Sequence, residues 1–138
     1  MQLGRCRTID YRAKGYRPAQ SRLGADTNEE HLAYHNFEWL ASSARSLGIE
    51  DPRVEKGIVK IPIRFDDFSL HRSLPYERWE TRALDTVRRS NFLAFSLHDC
   101  YGELWLEHYP ALIQRLLDMG ELKTLDEVAA EVTLEHAA

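Results

Sequence analysis

The chain has 138 residues, a formal net charge of −4, and is 43% hydrophobic and 29% charged. Those values suit a single ordinary globular domain and give no electrostatic reason to expect nucleic-acid binding. Its two cysteines, Cys6 and Cys100, stand far apart with no CxxC or Cys/His cluster, which argues against a disulfide framework or a structural zinc site.

No apolar run is long enough to span a membrane, and the start of the chain has no apolar leader core. A reduced cytoplasmic setting is therefore expected. Residues 1–14 form a basic segment without periodicity. Through residue 25, Arg5, Arg7, Arg12, Lys14, Arg17 and Arg22 face Asp10 alone. Such an end is either a solvated basic stretch or a contact for an acidic substrate or partner.

Gly15 to Gln20 reads as a short strand with Pro18 at its edge. Asp26 or Thr27 is placed to cap a helix over about residues 28–36, with Glu29 and Glu30 in its acidic first turn. Phe37 to Ala41 alternates weakly and suits a strand, and residues 42–52 suit a connection or short helix. Gly57 to Phe65 is β-branched and apolar, which predicts a strand. Pro62 removes a ladder donor there and demands an edge, a bulge or a one-sided partner.

Pro75 to Ser90 predicts a helix with Trp79, Ala83, Leu84 and Val87 on one face. Asn91 to Tyr101 is an apolar run that stops at His98-Asp99, as a buried parallel strand does. Alternation points Leu93, Phe95 and Leu97 one way and Phe92, Ala94, Ser96 and His98 the other. Residues 104–119 predict a helix with Trp105, Tyr109, Leu112, Ile113, Leu116 and Leu117 as a core face. Pro110 kinks or starts it, and Gly120 ends it. Residues 122–124 suit a brief strand, and Thr124 with Glu127 forms a capping box for a last helix. Strands and helices thus alternate, which predicts α/β with mainly parallel strands.

The stretches GYRPAQ at Gly15–Gln20, FEWLASS at Phe37–Ser43, IVKIPI at Ile58–Ile63, FSLHD at Phe95–Asp99 and GELKTLDEVAAEV at Gly120–Val132 stand in a recognisable order. From about residue 15 to residue 138 the chain resembles the C-terminal half of the polysaccharide deacetylase (NodB-homology) family. That resemblance implies a partial distorted (β/α) barrel. It also implies hydrolysis of a non-peptide carbon–nitrogen bond in a carbohydrate or small amide.

The family's first two motifs, a strand ending in Asp-Asp and a His-Ser/Thr-x-x-His, supply the base and the ligands for zinc or another divalent metal. Neither has room before Gly15, so the expectation is a truncated domain that holds no metal and is inactive alone. Phe65-Asp66-Asp67 and the His31/His35 pair imitate those motifs. They follow the Arg motif instead of preceding it, their mutual order is reversed, and Leu32 replaces the expected Ser or Thr. Both are read as coincidences of spacing, His31 and His35 as an exposed helix face.

By the resemblance, His98 is the histidine that protonates the leaving nitrogen, a role imidazole suits near neutral pH. Arg17 is the arginine that holds the catalytic aspartate. That aspartate being absent, it is expected to pair with Asp66, Asp67 or Asp99. The family's Arg-x-Pro-Tyr reads Arg17-Pro18-Ala19-Gln20 here, without the tyrosine. Asp66 and Asp67 stand where a carboxylate tunes the histidine; a solvated acidic turn explains them equally. Asp99 is read as a loop or cap residue. The alternative function is a non-catalytic binding or assembly module that pairs through an exposed sheet edge, into a homo-oligomer or with a missing half.

Overall fold

The β-branched run after Gly57 becomes the longest strand of the sheet. A computed structural model describes residues 12–138. It shows a mixed α/β fold with a mostly parallel sheet. The expected segment 1–14 lies outside the described residues as far as residue 11, and so does Cys6. The chain divides into two compact units, one running to Pro62 and completed by Lys123–Ala138, the other Ile63–Leu122.

The first unit contains β1 (Gly15–Tyr16), α1 (Glu29–Tyr34), β2 (Trp39–Ser43), α2 (Ala44–Leu47), β3 (Arg53–Glu55), the first half of β4 (Ile58–Asp66) and α6 (Leu125–Ala137). The strand order is β1-β2-β4-β3. β1 runs parallel to β2 and β3 antiparallel to β4. Tyr16, Leu32, Phe37, Leu40 and Ile58 make its core. Gly15 is required because Trp39 lies across it: a Cβ there would sit 1.8 Å from Trp39 Cε2. Trp39 Nε1–H donates to Asp126 at 2.6 Å, tying α6 down by its first turn. Lys60, 6% exposed, is neutralised by Glu29 at 2.9 Å. That hydrogen bond, with a smaller charge attraction, holds the Glu29 carboxyl below its ordinary range.

The second unit contains the rest of β4, α3 (Phe68–His71), α4 (Tyr76–Arg88), β5 (Ala94–Ser96) and α5 (Tyr109–Met119). β5 pairs parallel to β4, with Ile63 opposite Ala94 and Asp66 opposite Ser96, and the register shifts between Ile63 and Phe65. That bulge directly follows Pro62, where a missing donor makes regular pairing costly. Ala94 and Ser96 are buried. Phe95 and Leu97 pack on Leu70, Trp79, Leu112 and Leu116. The alternation read from the sequence therefore holds. Arg115 on α5 donates to the buried Glu80 on α4.

Several expectations change. The 122–124 strand does not form; that stretch is irregular. Asn28 caps α1, accepting from His31 N–H at 2.9 Å, while Thr27 closes the preceding 3-10 turn by bonding Gly24. β3 and β4 form a hairpin that the alternating pattern hid. Its turn, Lys56-Gly57, has φ of 48° and 80°, the left-handed pair a two-residue hairpin needs. The 104–119 helix begins only at Tyr109, with Pro110 in its first turn, and Trp105 lies among preceding 3-10 turns. That break rotates the pattern. Leu112 and Leu116 are buried, but Tyr109 and Leu117 are 40% and 49% exposed.

Candidate functional site

The second unit brings two of the four expected site residues together. β4 ends at Asp66, and the chain turns at once into α3. β5 ends at Ser96, opposite Asp66 in the register, so Asp67 and His98 leave the paired strands side by side. Asp67 is fully buried. One of its oxygens accepts the His98 backbone N–H at 2.7 Å and the other lies 2.5 Å from His98 Nδ1. A solvated acidic turn is excluded for Asp67 by that burial and pairing.

An ionised carboxylate only accepts hydrogen bonds, so with Asp67 in that form the contact requires a proton on His98 Nδ1 and leaves Nε2 as the nitrogen open to exchange. The backbone bond fixes where the ring starts, and the ring bond fixes its edge. The His98 side chain is 43% exposed. The pair can therefore accept and deliver a proton at Nε2 while the carboxylate offsets the charge on the imidazolium.

Asp66 turns elsewhere. Its carboxylate accepts Phe68 N–H at 3.0 Å, capping the short helix α3, and its carbonyl accepts Trp79 Nε1–H at 2.9 Å. Asp99 is exposed and accepts Cys100 N–H at 2.8 Å, the turn role expected of it. Arg17 belongs to the first unit, directly after β1. His31 stays beside its cap, with Nδ1 3.1 Å from Asn28 Oδ1.

Sequence reasoning passed over the aromatic groups around the pair. Tyr101 lies 5.5 Å from the His98 ring, centre to centre. His71 stacks on Tyr101 at 4.7 Å and 14°. Phe68 follows at 5.8 Å from His71, 48% exposed. The available signal was spacing: His71 is four residues past Asp67, and Tyr101 three past His98. A helical turn on one side and a 3-10 turn on the other return each ring to its partner. Farther along the same unit, Tyr76 stacks on His108 at 3.9 Å. Burial, with Glu80 adding to it, pushes the Tyr76 hydroxyl up to about 12, so it stays protonated at neutral pH.

Among the described residues no group of three or more His, Cys, Asp or Glu side chains could hold a metal ion. Among the same residues no helix is long and apolar enough to cross a membrane. Comparison with family models, curated proteins and solved structures returned no match.

Proposed function

We propose that this chain carries the proton-delivering half of a polysaccharide deacetylase-type reaction, the hydrolysis of a carbon–nitrogen bond in an N-acetyl or related amide. The observation that supports it is the fully buried Asp67 bonded to both the backbone and the ring of His98. His98 first takes a proton from solvent at Nε2, then gives it to the nitrogen as the carbon–nitrogen bond breaks, while Asp67 holds the ring and offsets the imidazolium charge. Asp66 has a structural part, shaping the turn that delivers Asp67. Arg17, by the resemblance an arginine that holds a carboxylate, belongs to the first unit.

In this reading the fold is part of a distorted (β/α) barrel. A complementing partner supplies the base and the group that activates water. The substrate is a carbohydrate or small amide, the setting is cytoplasmic, and the chain alone is inactive.

The test is acetate release from N-acetylglucosamine oligomers by this chain expressed with the segment that supplies the Asp-Asp and His-Ser/Thr-x-x-His motifs. Activity that falls roughly 10²- to 10⁴-fold in His98→Ala is expected. Activity indifferent to His98 refutes the reading.

A second reading, an assembly module, draws on exposed apolar side chains in the second unit. Leu104, Leu106, Tyr109 and Leu117, in two 3-10 turns and the helix that follows them, are 37%, 62%, 40% and 49% exposed. Surfaces of that kind favour association. Analytical ultracentrifugation at micromolar concentration separates a self-associating chain from a monomer, and a sharply melting monomer argues against this reading.

A further inference from the structure

We propose that Tyr101 is a positioning residue for His98, and that His71 braces it. The inference rests on the reading of His98 as the proton donor and extends it to two residues that carry no part of the proton transfer.

The geometry is a pair of contacts between the segments that follow two strand ends. The first is Asp67 to His98, two hydrogen bonds at 2.7 and 2.5 Å. The second is His71 on Tyr101, a face-to-face stack at 4.7 Å. Each side is held by its own short turn. Asp66 caps α3, which carries His71. On the other side Tyr101 N–H donates to the His98 carbonyl at 3.0 Å, closing the turn that swings the Tyr101 ring back beside His98.

Asp67 alone under-determines the imidazole. One hydrogen bond at Nδ1 fixes an edge but leaves rotation about that edge, and a half-exposed ring can also swing out to bond water. The Tyr101 ring, tilted 58° against His98 at 5.5 Å, blocks that path. His71, stacked on Tyr101 at 4.7 Å, restrains the phenol in turn. Aromatic pairs of this kind shift an equilibrium by roughly two- to tenfold. That is enough to decide whether a partly exposed ring is held mainly in one orientation or shared between two.

The readout is the tautomer and rigidity of His98 in the full chain, by long-range ¹H–¹⁵N correlation of its ring nitrogens at neutral pH. The expected wild-type spectrum has a proton on Nδ1, slow to exchange, and a bare Nε2. In Tyr101→Ala the Nδ1 proton signal should broaden or vanish, and the two nitrogens should move toward averaged shifts. Tyr101→Phe should restore the wild-type pattern, since the hydroxyl has no part in the argument. His71→Ala should move it in the direction of Tyr101→Ala by a smaller amount. If Tyr101→Ala does not fold, judged by its backbone amide spectrum, Tyr101→Leu keeps apolar bulk without a flat ring and should show the same averaging. An unchanged His98 pattern in a folded Tyr101→Ala or Tyr101→Leu chain overturns the proposal and leaves the Asp67–His98 reading standing. A neutral wild-type His98 with its only proton on Nε2 overturns both.

Discussion

Asp67→Asn is the most informative single change, because it keeps the shape of the side chain and alters only what it can accept. Asp67 is fully buried and receives two donors from His98, the backbone N–H at 2.7 Å and the ring at 2.5 Å. An amide has one acceptor oxygen. If that oxygen keeps the backbone N–H, the NH₂ group faces Nδ1 and can bond it only as a donor. His98 must then lose its Nδ1 proton and carry it on Nε2, the reverse of the wild-type arrangement.

Hydrogen bonds to a charged group contribute about 1.5–3 kcal/mol each. The variant retains one neutral bond of about 1 kcal/mol, forms a second of reversed polarity, and is relieved of a buried charge. The net loss expected is about 1–2 kcal/mol, which with a urea slope of about 1–3 kcal/mol/M lowers the midpoint by roughly 0.3–2 M. The corresponding swap in a Ser-His-Asp site lowers kcat by about 10⁴ with little change in geometry. The same pattern is expected here in the completed enzyme: modest destabilisation, near-total loss of proton transfer. Asp67→Ala, which leaves the His98 N–H unpaired, should cost more stability than Asp67→Asn. A fully active Asp67→Asn, or one more stable than wild type, would refute the argument that an ionised Asp67 sets the His98 tautomer.

Three further outcomes are expected. Gly15→Ala should destabilise by about 1–3 kcal/mol, because its Cβ would enter the ring of Trp39 and force that ring off Asp126; in a Trp39→Ala background the same change should be neutral by thermal melting. The Lys60 hydrogen bond holds the Glu29 carboxyl below its ordinary range. Its stabilising contribution is therefore complete above the unfolded carboxylate value and disappears as pH falls through the lowered folded one. Urea midpoints measured on the acid side should drop less steeply in Glu29→Gln than in wild type, and parallel curves would count against the pair. Trp79→Phe removes the donor to the Asp66 carbonyl and part of a fully buried ring. It should cost about 1–3 kcal/mol, and an unchanged melting temperature would show that this bond does not anchor α4 to the end of β4.

Much of the fold was legible because its signals are local. The β-branched run of β4 and the four apolar positions of α4 need no partner to be recognised. Neither does the capping box of α6, where Thr124 N–H donates to Glu127 Oε2 at 2.7 Å. The backbone conformations and side-chain periods involved are set within a few residues. The same holds for Phe95 and Leu97 against Ala94 and Ser96, since alternation is a property of any strand. The hairpin at Lys56-Gly57 was missed for the complementary reason. Gly57 announces a turn, but Lys56 is not the Asn or Asp that marks a position of positive φ.

What the chain order could not decide is which of two adjacent carboxylates meets the histidine. Asp66 and Asp67 are identical as letters, and consecutive residues at a strand end point to different sides. The choice falls to the pairing of β4 with β5. A shift between Ile63 and Phe65 resets the register, puts Asp66 opposite Ser96, and leaves Asp67 to reach His98 while Asp66 caps α3. A one-residue change of register would exchange their roles, because the side-chain period of a strand is two. The ring pair of His71 and Tyr101 is of the same kind. Thirty residues of chain separate those two rings, and only the docking of one strand end beside the other brings them into contact. The sequence by itself determined which elements form and which residue types stand at their ends; tertiary pairing selected, among those residues, the ones that touch.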